Sequence, residues 1–413
     1  MRIFGLACVS LVLLIQSAAA ENWPAFRGPR GDGTTPATGV PVEWSETKNI
    51  VWKTPIHGRG WSSPVVWDNQ IWLTTATEDG TKQSVLCVDA TTGDVLHDMV
   101  VFENENPRFC HPSNSYASCT PTIEDGRLYV HFGSYGTAAI DTATGKKIWE
   151  RRDLECDHFR APASSPILFE DVLIVAYDGF DVQYVVGFDK QTGETRWRTP
   201  RDIDYNTDNG DRKKAYATGL VIEVAGQPQV ILPSATATVA YEPLTGKEIW
   251  RVQHGGMNAA CRPIYGNGLL YITAGDGGTS LVAVRPDGQG DVTDTHIAWS
   301  SGKSVPKRSS LILKDDLLFM TNDSGVISCR DAKTGDVHWM KRLEGEYWAS
   351  PLLAENRLYF SSKTGLSPVV AASAEYELIT ENQLQDGFNA SPAVVENDFI
   401  LRTFTHLYRV SKK

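Results

Sequence analysis

Positive charge is scarce in this sequence: 39 Lys and Arg stand against 50 Asp and Glu, for a formal net charge of -11. An acidic surplus argues against nucleic acid as a partner and against docking on anionic lipid by charge alone. Long apolar runs are missing as well. The one candidate, residues 3–15, is too short to cross a bilayer, and no second run of about 20 apolar residues follows, so no membrane span is expected. No segment keeps a 3.6-residue period, which leaves little room for helix. Gly-x-Ser-x-Gly and His-Glu-x-x-His are absent, and no nucleophile stands beside a base at a readable spacing. These gaps remove the easily recognised hydrolases and zinc peptidases.

What is present begins with a leader. Arg2 precedes the apolar run, and Ser17-Ala18-Ala19-Ala20 supplies small residues before Glu21. Residues 1–20 therefore read as a secretory signal peptide cleaved near Ala20, giving a periplasmic or secreted product, expected to be a monomer. Six cysteines remain after cleavage: Cys87, Cys110, Cys119, Cys156, Cys261 and Cys329. Cys87 and Cys329 fill the same slot of a repeated motif and read as small buried thiols. Cys110 and Cys156 lie in long connections before successive units, and an oxidising compartment allows a disulfide between them.

The dominant pattern is a repeat. Residues 138–149, AAIDTATGKKIW, recur as CVDATTGDVLHD (87–98), GFDKQTGETRW (187–197), AYEPLTGKEIW (240–250) and CRDAKTGDVHW (329–339), with a degenerate copy, VRPDGQGDVTDTHIAW, at 284–299. Each reads as strand, tight turn, strand, with the glycine free to take positive φ. These glycines, Gly93, Gly145, Gly193, Gly246 and Gly335, are 52, 48, 53 and 89 residues apart, the last step spanning the degenerate copy. Such a period marks a repeat architecture.

Eight small-residue openings precede these cassettes: WSSPVVW (61–67), SCTPTI (118–123), SSPILF (164–169), ATGLVIEV (217–224), ACRPIY (260–265), SSLILK (309–314), ASPLLA (349–354) and ASPAVV (390–395). Each is followed by an aromatic, β-branched strand, so one unit is four antiparallel strands, the blade of a propeller. The first strand tolerates Pro because it is an edge beside the central channel. The last unit stops after three strands, and the fourth-strand pattern NIVWKTPI (49–56) stands unpaired before the first opening. The expectation is an all-β, eight-bladed propeller over 49–413, closed by that N-terminal strand, with 21–48 as an irregular extension anchored by Trp23, Phe26 and Trp44.

The Asp-x-x-Thr-Gly-x-x-x-Trp cassettes resemble the repeats of the pyrroloquinoline quinone (PQQ)-like propellers, over nearly all of the mature chain. The resemblance implies that Trp52, Trp149, Trp197, Trp250, Trp299 and Trp339 dock between neighbouring blades, a packing role that suits large apolar rings. That family holds quinoprotein dehydrogenases and also non-enzymatic members such as the lipoprotein of the outer-membrane assembly machine. This sequence lacks the adjacent Cys-Cys pair of the dehydrogenases and a recognisable Glu, Asn and Asp set for Ca²⁺ beside a quinone. The resemblance therefore implies the fold and not the cofactor.

Connections from one blade's fourth strand to the next blade's first open on one face beside the channel. From them we take Arg59, Trp61, His111, Tyr116, His158, Arg160, Lys214, Tyr216, Asn258, Arg308, Trp348 and Asn389 as candidate ligand-contacting residues. Cations and aromatic rings gathered at one mouth suit a small anionic or sugar-like ligand, or an acidic segment of a protein partner. His57, His111 and His158 come from successive connections, but lone loop histidines seldom converge on a metal. Residues 202–211 alternate oxygen donors, yet the glycine is out of place and Lys213 and Lys214 stand where a closing Glu belongs, so a solvated acidic loop is the reading. The expected function is non-catalytic binding or scaffolding outside the cytoplasm; the alternative is an oxidoreductase using PQQ and Ca²⁺.

Overall fold

The turn chemistry of the cassette sets the hairpin between the third and fourth strands of the blades that carry it. In the third blade, Asp189 Oδ1 accepts from the backbone N–H groups of Gln191 and Thr192 at 2.8 and 3.0 Å, and Gly193 N–H returns to Asp189 O at 2.8 Å. Asp331 holds Lys333 and Thr334 in the same way at 2.8 and 2.9 Å. A short side chain that bonds its own backbone is what lets so few residues reverse a strand.

The computed structural model describes residues 21–277 and 280–412, so the expected signal peptide lies outside the described residues. Eight antiparallel sheets form eight blades, which span 65–103, 122–151, 167–200, 220–253, 264–301, 312–342, 352–383 and 393–410. The last blade is completed by Ile50–Pro55, which pairs antiparallel with His406–Val410, so the N-terminal strand closes the ring as the unpaired fourth-strand pattern predicts. Among the described residues the only α-helix is Thr293–His296, and none is long and apolar enough to cross a membrane. That turn belongs to the degenerate cassette, whose longer loop also lays Gly290–Asp291 parallel to the edge of the fourth blade.

Tryptophan and glycine act together between blades. Trp149 sits on the turn glycine of the next blade: its Nε1 donates to Lys190 O at 3.0 Å, and a Cβ on Gly193 would lie 2.6 Å from its ring. Trp52 does the same over Gly93, donating to Ala90 O at 2.9 Å, and Trp299 over Gly335, donating to Ala332 O at 3.0 Å. Trp197 covers Gly246, and Trp339 reaches across to Ser373 O at 3.0 Å. Gly145 receives His97 and Met99 instead. Trp250 is buried in the cluster shared by the fourth and fifth blades, but its Nε1 donates within its own blade, to Gln229 at 2.8 Å. All five turn glycines have φ between 69° and 80°.

Facing the channel, the small-residue openings form a belt of hydrogen bonds. Ser63 N–H donates to Thr120 Oγ1, Thr120 to Ser165, Ser165 to Thr218, Ser310 to Ser350, Ser350 to Ser391 and Ser391 back to Ser63, each at 2.9–3.0 Å. Arg262 N–H continues the series to Ser310 at 2.9 Å, but Arg262 itself replaces the hydroxyl in the fifth blade and opens the belt there.

The 21–48 extension runs across the channel beyond this belt. Trp23 pairs with Val66, Pro24 O accepts from Ile123 N–H at 2.8 Å, and Gly33 O from Leu353 N–H at 2.9 Å, so the segment joins the first two blades to the seventh. Arg27 is 3% exposed and donates to Leu311 O at 2.5 Å and to Pro351 O at 3.4 Å, while Arg262 donates to Phe26 O. Burial pulls Arg27 down to about 9 and Arg262 to about 10, which leaves both charged at neutral pH. Trp23 and Trp44 are buried, as expected for anchors, and Phe26 points into the channel.

Candidate functional site

Along the first strands of the first, second, sixth and seventh blades the order is loop, belt residue, then the contact with the extension. The loops therefore surround one end of the channel and the extension closes the other. Between them lies a cavity of about 170 Å³, floored by Phe26 and belt residues including Ser63, Thr120, Ser165, Thr218, Ser350 and Ser391.

Seven of the twelve expected residues line this cavity: Trp61, Arg160, Tyr216, Asn258, Arg308, Trp348 and Asn389. The other five turn elsewhere. Arg59 supports Trp61, with its guanidinium 5.1 Å from the ring centroid and a bond to Pro112 O. His111 is held through Nδ1 by Ser113 Oγ at 2.7 Å. Tyr116 packs against Gly80 and donates to Arg108 O at 2.7 Å. His158 is buried against Gly133, and Tyr216 donates to its carbonyl at 3.2 Å. Lys214 is buried in an ion pair with Asp211, its Nζ 4.4 Å above the Phe159 ring. These five hold the wall. Choosing residues by loop membership finds the loops but not which way a side chain points.

Phe26, Asp276 and the belt hydroxyls line the cavity outside the loop-derived set. Phe26 arrives from the far end of the channel, and Asp276 from a connection between the second and third strands of the fifth blade. Their only sequence signal is the aromatic anchor and the small-residue openings.

Three cations, Arg160, Lys307 and Arg308, line the cavity against one carboxylate, Asp276. Lys307 Nζ lies 3.0 Å from Asp276, Arg160 lies 3.6 Å from Asp211, and Arg308 pairs with Asp323. Arg308 and Lys363 both sit over Trp348, at 4.3 and 4.0 Å. His111 senses the local field: burial first, then the charges of Arg160, Lys214 and Arg308, lower its pKa, against an opposing Asp211. Each of these cations thus has a carboxylate partner, but only Asp276 among those carboxylates lines the cavity itself.

Outside the cavity, Phe109, Phe159 and Phe180 form an exposed aromatic row, with centroids 5.7 and 5.8 Å apart. Phe159 and Ala161 take left-handed backbone, φ 55° and 71°, on either side of Arg160. Cys110 and Cys156 are free thiols. Cys156 Sγ lies 3.8 Å from His158 Nδ1, and Cys110 Sγ faces the carbonyls of His111 and Arg160, so the expected disulfide is not formed. His57 meets Asp98 at 3.0 Å on the exposed surface, away from the other two histidines considered with it.

The family model described as outer membrane protein assembly factor BamB matches four overlapping stretches, residues 34–182, 108–230, 181–312 and 235–377. The chain belongs to that family. Comparison with curated proteins finds no match. Among solved structures it is similar to BamB from Moraxella catarrhalis at 13% identity, with TM-score 0.62, covering 88% of this chain and 97% of that one. It is also similar to quinohemoprotein alcohol dehydrogenase from Comamonas testosteroni at 13% identity, with TM-score 0.67, covering 96% and 81%. The computationally designed Ika8 protein matches too, at 12% identity and TM-score 0.57, covering 88% and 99%. An assembly factor, an enzyme and a designed protein share this shape, so membership of the family settles the fold and leaves function to the site.

The dehydrogenase likeness raises the question of a quinone held through Ca²⁺. That ion takes six to eight oxygen ligands, carboxylates foremost. Here the one lining carboxylate is engaged by Lys307 and by Asn258 Nδ2, at 3.0 and 3.2 Å, with three cations around it. Among the described residues no group of three His, Cys, Asp or Glu is placed to hold a metal. The donor set does not fit Ca²⁺.

Proposed function

We propose that this chain is a non-catalytic, extracytoplasmic binding propeller that captures a small anionic ligand at the mouth of its channel. One observation carries the reading: three cations, the aromatic rings of Trp61, Tyr216 and Trp348, and the amides of Asn258 and Asn389 line one cavity with Phe26 beneath. The cavity suits a small molecule better than a folded partner. The leader, read from sequence, supports export.

Trp61 and Trp348 line the cavity and make intrinsic fluorescence the natural readout. Titration with small carboxylates and phosphate is expected to give saturable quenching that weakens with salt. A flat response to every anion overturns the reading. Saturable binding of PQQ with Ca²⁺, coupled to dye reduction with an alcohol, would establish the oxidoreductase in its place.

A further inference from the structure

Four buried polar atoms at the mouth have no hydrogen-bond partner among the described residues: Trp61 Nε1, Arg160 Nε, Asn258 Oδ1 and Asn389 Oδ1. They belong to residues that line the cavity, on the loops before the first, third, fifth and eighth blades, so they are spread around the ring rather than along one edge. Two are donors and two are acceptors. Asn258 is 8% exposed, and the orientation of its amide is fixed, because Nδ2 donates to Asp276 Oδ2 at 3.2 Å and a carboxylate only accepts. Its backbone is left-handed, φ 55°, a conformation that Asn tolerates better than most residues.

This mixture discriminates among ligands. Phosphate or a simple carboxylate would satisfy the donors but leave the Asn258 amide oxygen unpaired. A cationic ligand would meet the oxygens but sit in the field of Arg160, Lys307 and Arg308. Alcohol hydroxyls donate and accept together, and Asp276 beside Asn258 offers a further acceptor for them. From this pattern, and resting on the mouth-binding reading above, we infer that the ligand is a carboxylated sugar ring. Its hydroxyls meet Asn258, Asn389 and Asp276, and its carboxylate meets Arg160 and Arg308.

The test is calorimetric titration of the mature chain with glucuronate, galacturonate, glucose, acetate and inorganic phosphate. A uronate is expected to bind at least tenfold tighter than glucose, acetate or phosphate. Asn258→Gly keeps the positive φ and removes the acceptor; it should weaken uronate binding tenfold or more and leave acetate binding unchanged. Acetate or phosphate binding as tightly as the uronates overturns the sugar assignment while the mouth reading stands. Glucose binding as tightly removes the acidic group from the assignment, and unchanged uronate affinity in Asn258→Gly removes Asn258 from it. Silence toward all five compounds overturns both readings.

Discussion

The outer rim and the channel mouth solve opposite problems with the same residue types. At the rim, the indole N–H groups of Trp52, Trp149, Trp299 and Trp339 each find a carbonyl of the next blade, and the turn glycines beneath Trp52, Trp149 and Trp299 leave no room for a methyl group. At the mouth, Trp61 has its Nε1 buried and unpaired, Arg160 has an unpaired Nε, and two amide oxygens have nothing to accept. Four of the rim tryptophans are paired across blades, Trp197 covers Gly246 with its Nε1 unpaired, and the mouth leaves donors and acceptors of both kinds open.

The largest effect should come from opening the ring itself. Deleting 21–56 removes the extension and the closing strand Ile50–Pro55; loss of the cooperative thermal transition is expected, and an unchanged melt would refute the closure. Gly193→Val adds a side chain at φ 76° against the Trp149 ring. It should cost about 3–5 kcal/mol in urea denaturation, by overpacking and backbone strain together. Anion binding by the fraction that stays folded should not change.

Acid should separate the two regions. Burial holds His131 down to about 3 and His158 to about 4, and both lie 7% exposed or less. Below pH 6.5 the unfolded chain takes up these protons and the folded chain does not, so stability is lost as pH falls from 6.5 toward 4. The slope is about 1.4 kcal/mol per unit for each histidine. Melts between pH 7 and 5 should show it, and His131→Gln with His158→Gln should reduce it to the share left by His254, which burial also lowers to about 4. Ser350→Ala breaks one link of the belt and strands Ser310 N–H, for about 1–2 kcal/mol by denaturation. Arg160→Gln should change stability by less than about 0.5 kcal/mol, because its only acidic neighbour is 3.6 Å away. The same change should weaken anion capture about tenfold, which places the mouth at the functional end of the comparison.

Sequence periodicity carried the blades because each cassette is local: Asp189 closes a turn on residues two and three positions along, and such patterns survive in the chain as text. The closing strand was legible by subtraction, from a three-strand last unit and a spare strand ahead of the first. The belt was visible only as small residues, since each of its bonds joins positions 40 or more residues apart. The site was half-legible for the same reason. Arg308 and Trp348 were found by the loops that hold them, whereas Phe26 enters from the other end of the channel and could not be assigned to the mouth by any spacing. His158 and Lys214 sit in the right loops but are buried in the wall, and composition does not encode which way a loop side chain turns.

The strand Ile50–Pro55 also fixes an order of events. It is made before any blade, yet its partner His406–Val410 is made after all the others. As the chain emerges N-terminus first, seven blades can stack while the eighth waits, and the ring shuts only when its two remote segments meet. Contacts between residues so distant in sequence form slowly. Until then the chain has an open seam with an unpaired strand edge on one side. The last contact of the fold is thus the one that joins its two ends.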